Sequence, residues 1–460
     1  MAEKIYDKKV IRKEIYFLII PIMLENVFQI SAGIISAAMI GRLTPMLISS
    51  QGICSRITGV LWCLFKGIGV GATVVIAKSR GENDLVKCKK AFEQTLITSC
   101  IISVIIGVII FFSSSSILSF FTSSSETLYN SKEYLKIVIL SSPFLMIMSL
   151  VTAAYQACGN TKTPMYIAIV VNIINVILGY VLIYGKFGFP NLSLMGAAIA
   201  LSISQISGAV IGLYLLYNKK NGLFSTIIIN KNLFKFDFNI IKQVYSIGIP
   251  AAFESMFWQF SAIIMSKAIL SYGEVTFAAY QLGLQAEILT EMPAFGVGIA
   301  ATSMTANAIG KKDGALLKIY TKQLITTSTF ISLVSSVFII LFPNVFMSLF
   351  TNNAEIQAIG VKYLIVMGFI QIPQNVSKVL NGIIRSAGYK NIPMIISFLG
   401  IWVIRVPLAL LFAYILKLDI IFIWLCMALD QIFKFVFSVI IYKIKKVDVI
   451  EDKIQTIEVK

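Results

Sequence analysis

Glu25 and Glu254 each stand four residues after a proline, in PIMLEN (residues 21–26) and PAAFES (residues 250–255), inside apolar runs. A carboxylate is costly inside a membrane, so it normally faces a cavity or a partner. A nearby cation stabilises its charged form, and burial opposes that form. A proton and a cationic compound therefore compete for such a group, which is the simplest logic for exchange. Glu25 follows Lys13 by twelve residues, and Glu254 follows Lys242 by the same interval. Twelve residues of helix span about 18 Å, so both glutamates are expected near mid-membrane. Gln29 is one turn beyond Glu25, and Ser36 falls near the same face, giving a polar stripe. Lys66 is the expected partner should Glu25 be structural.

A second acidic pair, Glu287 and Glu291, is one turn apart and is followed by Met292 and Pro293. The alternative to a coupling role is a salt bridge with Lys378. Gln371, Gln374, Asn375, Lys378 and Asn381 form one polar helix face, suited either to a cavity wall or to hydrogen bonds between helices. Arg405 and Asp430 are expected to pair structurally.

The elements that position these residues follow from composition. The chain has 460 residues, 57% hydrophobic and 13% charged, with mean hydropathy +0.86. Soluble domains carry roughly a quarter charged residues, so this is a polytopic membrane protein. Apolar runs predict twelve spans, near 15–40, 50–77, 91–112, 134–158, 164–185, 194–217, 243–270, 276–308, 319–342, 359–386, 393–416 and 420–442. Each must be helical, because a segment in hydrocarbon satisfies its own backbone groups. Basic residues crowd alternate connections, from Lys8 and Lys9 through Lys219, Lys231 and Lys235 to Lys443, while Arg42, Lys132, Lys186, Lys362 and Lys417 serve the others. That bias places both termini in the cytoplasm of an inner or plasma-membrane protein. The net charge of +17 then points to anionic lipid headgroups, not nucleic acid.

Histidine is absent, which removes the commonest metal ligand and general base and argues against a membrane-embedded enzyme. The six cysteines form no C-x-x-C pair and read as packing residues. No metal site or cofactor is expected beyond a coupling ion, and the chain is expected to be a monomer. Asp84 and Asp313 are expected to cap or tether the helices that follow them.

A shift of 229 residues, from Pro21 to Pro250, superposes one half of the sequence on the other. It pairs Lys13 with Lys242, Gly67 with Gly296, Gly81 with Gly310, Asp84 with Asp313, Tyr134 with Tyr363, and Pro164 with Pro393. Six spans in each half make these parallel repeats, the plan of many secondary transporters. The expected division is an N-terminal six-helix lobe over 1–218, a linker over 219–238, a C-terminal six-helix lobe over 239–446 and a tail over 447–460.

GVGATVVIAKSRGENDLVKCKKAF (69–92), GVGIAATSMTANAIGKKD (296–313), QACGNTKTPM (156–165), RSAGYKNIPM (385–394) and FAAYQLGLQAEILTEMPAFGVG (277–298) together resemble the multidrug and toxic compound extrusion (MATE) transporters. The resemblance spans nearly the whole chain. It implies an all-α, V-shaped bundle of twelve transmembrane helices in two pseudo-symmetric six-helix lobes. It also implies an antiporter that exports organic, often cationic, compounds against H+ or Na+ by rocking of the lobes around a central cavity. Ser36, Gly179 and Gln374 stand where relatives often carry Asp, beside the family-like Asn172 and Asn175. The candidate coupling and cavity residues are therefore Glu25, Glu254, Glu287, Glu291, Gln29, Ser36, Asn172, Asn175, Gln374 and Lys378. A flippase for lipid-linked sugars or polar lipids shares this repeat plan, and Arg56, Lys66 and Lys378 are the residues that would suit it.

Overall fold

The computed structural model describes residues 7–122, 124–218, 220, 222–224 and 236–447. Most of the linker, with Lys219, Lys231 and Lys235, and the tail after Val447 lie outside the described residues. The described chain is helical, with no strand. The first half holds α1 (Lys8–Gly41), α2 (Pro45–Gly81), α3 (Leu85–Ser119), α4 (Ser125–Leu140), α5 (Ser142–Ala157), α6 (Lys162–Tyr184) and α7 (Ser193–Tyr217). The second holds α8 (Phe238–Leu270), α9 (Glu274–Gly310), α10 (Gly314–Leu341), α11 (Pro343–Ser348), α12 (Ala354–Ser386), α13 (Ile392–Phe398), α14 (Val406–Leu410) and α15 (Ile420–Ile444).

Ten helical segments among the described residues are long and apolar enough to cross a membrane. The span expected at 134–158 is instead two helices, α4 and α5, bent by 46°. Ser141 closes α4, and Pro143 sits in the first turn of α5, where its missing N–H breaks no bond. The eighth expected span is α9, 37 residues long. Gln281, Gln285, Glu287, Thr290 and Glu291 make it less apolar than the rest. The eleventh is α13 and α14 joined by a π-helical stretch, Leu399–Arg405, and extended by another, Leu411–Ile415. Such wide turns inside a helix often accompany functional sites; the first one ends at Arg405.

Asp84 and Asp313 cap as expected. Asp84 accepts a hydrogen bond from the Lys87 backbone N–H at 2.8 Å, and Asp313 from that of Leu316 at 2.9 Å. Asp237 opens α8, accepting from the Asn239 N–H at 3.1 Å and from Lys90 Nζ at 2.7 Å. That ammonium holds the Asp237 carboxyl below the usual carboxylate range.

The chain divides into two compact units. One comprises Met1–Met23, Ala77–Asn83 and Ile249–Lys460, and the other Leu24–Ile76 and Asp84–Gly248. The opening turns of α1 thus pack with the second half, where Ile11, Ile15, Leu18 and Ile19 join Val297, Met304 and Leu380 in one core. The opening turns of α8 pack with the first half. There a Cβ on Gly248 would meet the Ile68 Cα at 2.9 Å. In the first unit the last turns of α2 and α9 touch backbone to backbone. A Cβ on Gly310 would collide with the Lys78 carbonyl, and one on Gly81 with that of Asn307. These two glycines are repeat partners, so one close approach uses both copies of a duplicated turn.

At the membrane depth of the second half, Asp430 is fully buried between Arg405 at 2.8 Å and Lys434 at 3.0 Å. The pairing of Arg405 with Asp430 is as expected, with Lys434 as an addition. Gly400, in the first π stretch, leaves room for this cluster: a Cβ there would meet the Lys434 Cε at 3.0 Å.

Two stability outcomes follow. Gly310→Val should destabilise the protein by about 1–3 kcal/mol through overpacking, whereas Gly52→Ala, where a Cβ meets nothing within 4 Å, should be neutral or slightly stabilising. Asp430→Asn should cost about 3–5 kcal/mol, because two buried cations lose their counter-charge. Lys434→Met, which leaves the Arg405–Asp430 pair intact, should cost less. Thermal unfolding of the four variants in one detergent checks the order.

Candidate functional site

Repeat-equivalent glutamates are placed in different surroundings. Glu254, on α8, pairs with the Arg385 guanidinium at the end of α12. Glu25, on α1, is 7% exposed, and its Oε2 finds no hydrogen-bond partner. Lys66 is not its partner; Lys66 Nζ lies 4.7 Å from the centroid of the Trp62 ring. The sequence shift explains the difference. Gln156 occupies the position that Arg385 holds in the second half, so the acid is duplicated and its guanidinium is not.

The remaining first-half candidates sit on α1 and α6. Asn175 Nδ2 donates to Ser36 Oγ at 3.3 Å, joining two positions where relatives often differ. Asn172 keeps a buried Nδ2 that makes no hydrogen bond. Gln29 is exposed. No close contact brings Glu25 onto the Ser36–Asn175 pair, and α1 carries the two polar groups about three turns apart.

In the second half, α9 and α12 bring four candidates together. Tyr363 donates its hydroxyl to Glu287 Oε2 at 2.5 Å, and its ring is fixed edge-on by Tyr280 and Trp424. Gln374 Nε2 lies 3.5 Å from Glu287 Oε1 and also donates to Glu291. Glu291 Oε2 pairs with Lys378 Nζ at 3.1 Å, and that ammonium is 5.5 Å from the centroid of the Phe295 ring. The polar face of α12 therefore serves two ends. Gln374 and Lys378 address α9, while Asn381 accepts from Ser438 of α15 at 3.0 Å.

Charges of both signs interleave through this half. Glu254, Glu287, Glu291 and Asp430 lie among Lys378, Arg385, Arg405 and Lys434, four of each sign. An interior ion survives in low dielectric when a counter-ion and hydrogen bonds surround it.

The first half answers this cluster with neutral residues. Under the 229-residue shift, Glu287, Glu291, Gln374 and Lys378 correspond to Thr58, Trp62, Leu145 and Ser149. Thr58, Trp62 and Leu145 line a cavity of about 310 Å3 together with Phe65, Ser142 and Gln205. Where one repeat is filled by ion pairs, the other has space.

Sequence reasoning missed Tyr363, Lys434 and Phe295 as parts of the site. Tyr363 was visible as the repeat partner of Tyr134, but an aromatic inside an apolar run carries no sign of the acid it will meet. Arg385 stood out only as a motif residue; the absence of a basic residue at Gln156 was the signal that it matters.

The MatE family model matches the chain twice, over residues 21–181 and 250–411. The matches start at Pro21 and Pro250, the two prolines that anchor the repeat. The probable multidrug resistance protein NorM of Thermotoga maritima is 28% identical over 430 residues, covering 92% of this chain and 90% of that protein. The probable multidrug resistance protein YoeA of Bacillus subtilis is 25% identical over 421 residues, covering 91% and 90%. A solved transporter of the MOP superfamily from Pyrococcus furiosus shares the fold, with a TM-score of 0.87 at 19% identity over 95% of this chain and 96% of that one. With paired glutamates on duplicated helices, and one family model matching each repeat, the chain belongs to the MatE family of membrane transporters.

Proposed function

We propose that this protein exports amphipathic organic compounds bearing a positive group, in exchange for H+ or Na+, with Glu25 as the exchanging carboxylate. Relatives named as multidrug resistance proteins support the export of organic compounds. The observation that carries the assignment to Glu25 is its buried Oε2, which has no hydrogen-bond partner, while its repeat partner Glu254 is held by Arg385. A carboxylate already neutralised by a fixed guanidinium gains little from a second cation. A carboxyl with no fixed counter-ion must take a proton, a metal cation or an organic cation, and only one at a time. That exclusivity is what couples two opposed flows.

A flippase for lipid-linked phosphates would need basic groups free to meet them. Lys378, Arg385, Arg405 and Lys434 are each engaged by an acid, which favours the export reading.

Reconstitution into proteoliposomes tests this. An imposed pH or Na+ gradient should drive movement of a cationic dye in the wild type, and the gradient that works names the ion. Glu25→Gln should lower gradient-driven transport by about tenfold or more, each tenfold being worth 1.4 kcal/mol, with no loss of folded protein. Full coupling in Glu25→Gln would show that this acid is structural.

Glu254 should behave differently. Glu254→Gln strands Arg385, which is 9% exposed at its side chain, and should cost about 3–5 kcal/mol. The double variant Glu254→Gln with Arg385→Met should recover most of that stability and keep gradient-driven transport. Loss of coupling in the well-folded double variant would move the exchanging role to Glu254.

A further inference from the structure

The two acids of α9 differ in what remains open to a ligand. Glu287 is 3% exposed and already takes the Tyr363 hydroxyl and the Gln374 amide. Glu291 is held by the same amide and by Lys378. Lys378 keeps a third of its side chain exposed, 33% against 15% for Glu291. One turn before Lys378 on α12, the Gln374 Oε1 is buried and accepts no hydrogen bond. The Phe295 ring lies beside the ammonium. The site thus presents an acid, a vacant acceptor, a base and an aromatic face within one cluster.

Charge balance decides what this cluster can receive. A lone organic cation that displaced Lys378 from Glu291 would leave the lysine charged and stranded at membrane depth, a loss of several kcal/mol. A lone anion drawn to Lys378 would strand Glu291 in the same way. A molecule that carries both charges strands neither. Its ammonium replaces Nζ at Glu291 and fills the vacant Gln374 Oε1, and its carboxylate takes Nζ. The sum of charge in the cluster does not change. An aromatic body between the two groups would pack on Phe295.

We propose that the Glu291–Lys378 pair, with Gln374 and Phe295, is a recognition site for zwitterionic aromatic compounds, and that Lys378 is the residue that selects them over simple cations. This rests on the export reading and narrows its substrate class to compounds with a carboxylate as well as a positive group. The selection belongs to one repeat only. In the other, Trp62 and Ser149 occupy the positions of Glu291 and Lys378.

The test uses two probes that differ in one bond: a rhodamine with a free carboxylate, and the same rhodamine as its methyl ester, a simple cation. Fluorescence anisotropy of each dye against the purified full-length protein gives a ratio of affinities. Wild type should bind the carboxylate dye about tenfold more tightly than the ester, a difference of 1.4 kcal/mol. Lys378→Met frees Glu291 and should reverse the order, and Lys378→Arg should retain it. Because Lys378→Met leaves an acid without its partner, the double variant Glu291→Gln with Lys378→Met removes both charges and guards against misfolding; it should bind the two dyes about equally. An unchanged ratio in Lys378→Met and in the double variant, or no binding of either dye to wild type, overturns the proposal. Transport in proteoliposomes separates it from the export reading. Gradient-driven movement with no carboxylate preference sinks the zwitterion site alone. A carboxylate preference in binding, with no gradient-driven movement of any dye, sinks export and leaves the site standing.

Discussion

An ion inside a membrane protein must be matched, because hydrocarbon offers neither water nor counter-ions. The second half of this chain is organised around that requirement. Helix α12 packs against α9, α10 and α15, and its polar positions meet a different acid at almost every turn. Tyr363 and Gln374 serve Glu287, Gln374 and Lys378 serve Glu291, and Arg385 serves Glu254. On the far side α15 supplies Asp430 and Lys434 to Arg405. Removing one member of such a network exposes its partner to the full penalty of burial, so the members hold the helices in one register.

The first half keeps the frame and omits the ions. Backbone features survived duplication on both sides: Asp84 and Asp313 cap equivalent helices, and Gly81 and Gly310 form equivalent turns that touch. These depend on space and on backbone hydrogen bonds, which any working copy of the bundle needs. The charged positions did not need to be copied, because each pair is a self-contained replacement for apolar packing. Thr58, Trp62 and Leu145 show the outcome, a cavity where the other repeat has a cluster. One frame therefore supports two chemistries, one suited to ions and one to apolar surface.

Much of the architecture was legible because membrane helices obey few rules. Hydropathy located the segments, and the 229-residue shift identified the repeat before any coordinates. The bend at Ser141 was less legible, since Pro143 at a first helical turn and Pro143 within a continuous span look alike in sequence. The π-helical turns around Val406 left no pattern in composition; they arise where α13 and α14 accommodate Asp430 and Lys434. Within the site, the candidates on α9 and α12 were identified by polarity alone. Which acid pairs with which base was not legible, because it depends on the rotation of two helices about their axes. The contrast between Glu25 and Glu254 was readable in principle from the exchange of Arg385 for Gln156, a difference that gains meaning once the salt bridge is seen.

That exchange also bears on why Glu25 is there. A buried acid with no fixed partner lowers stability, and a glutamine at the same place would relieve the strain at no steric cost. Its retention is therefore unexplained by packing. In the second half the same acid serves packing, through Arg385. Glu25 holds its position against the local rule that buried ions are matched, and departures of this kind concentrate where a group is required to change its partner. A carboxyl bound permanently to arginine cannot trade a proton for a cation; a carboxyl left unmatched must do so whenever either is supplied. The instability at Glu25 and its capacity for exchange are one property, and the loss of the arginine from this repeat is what created it.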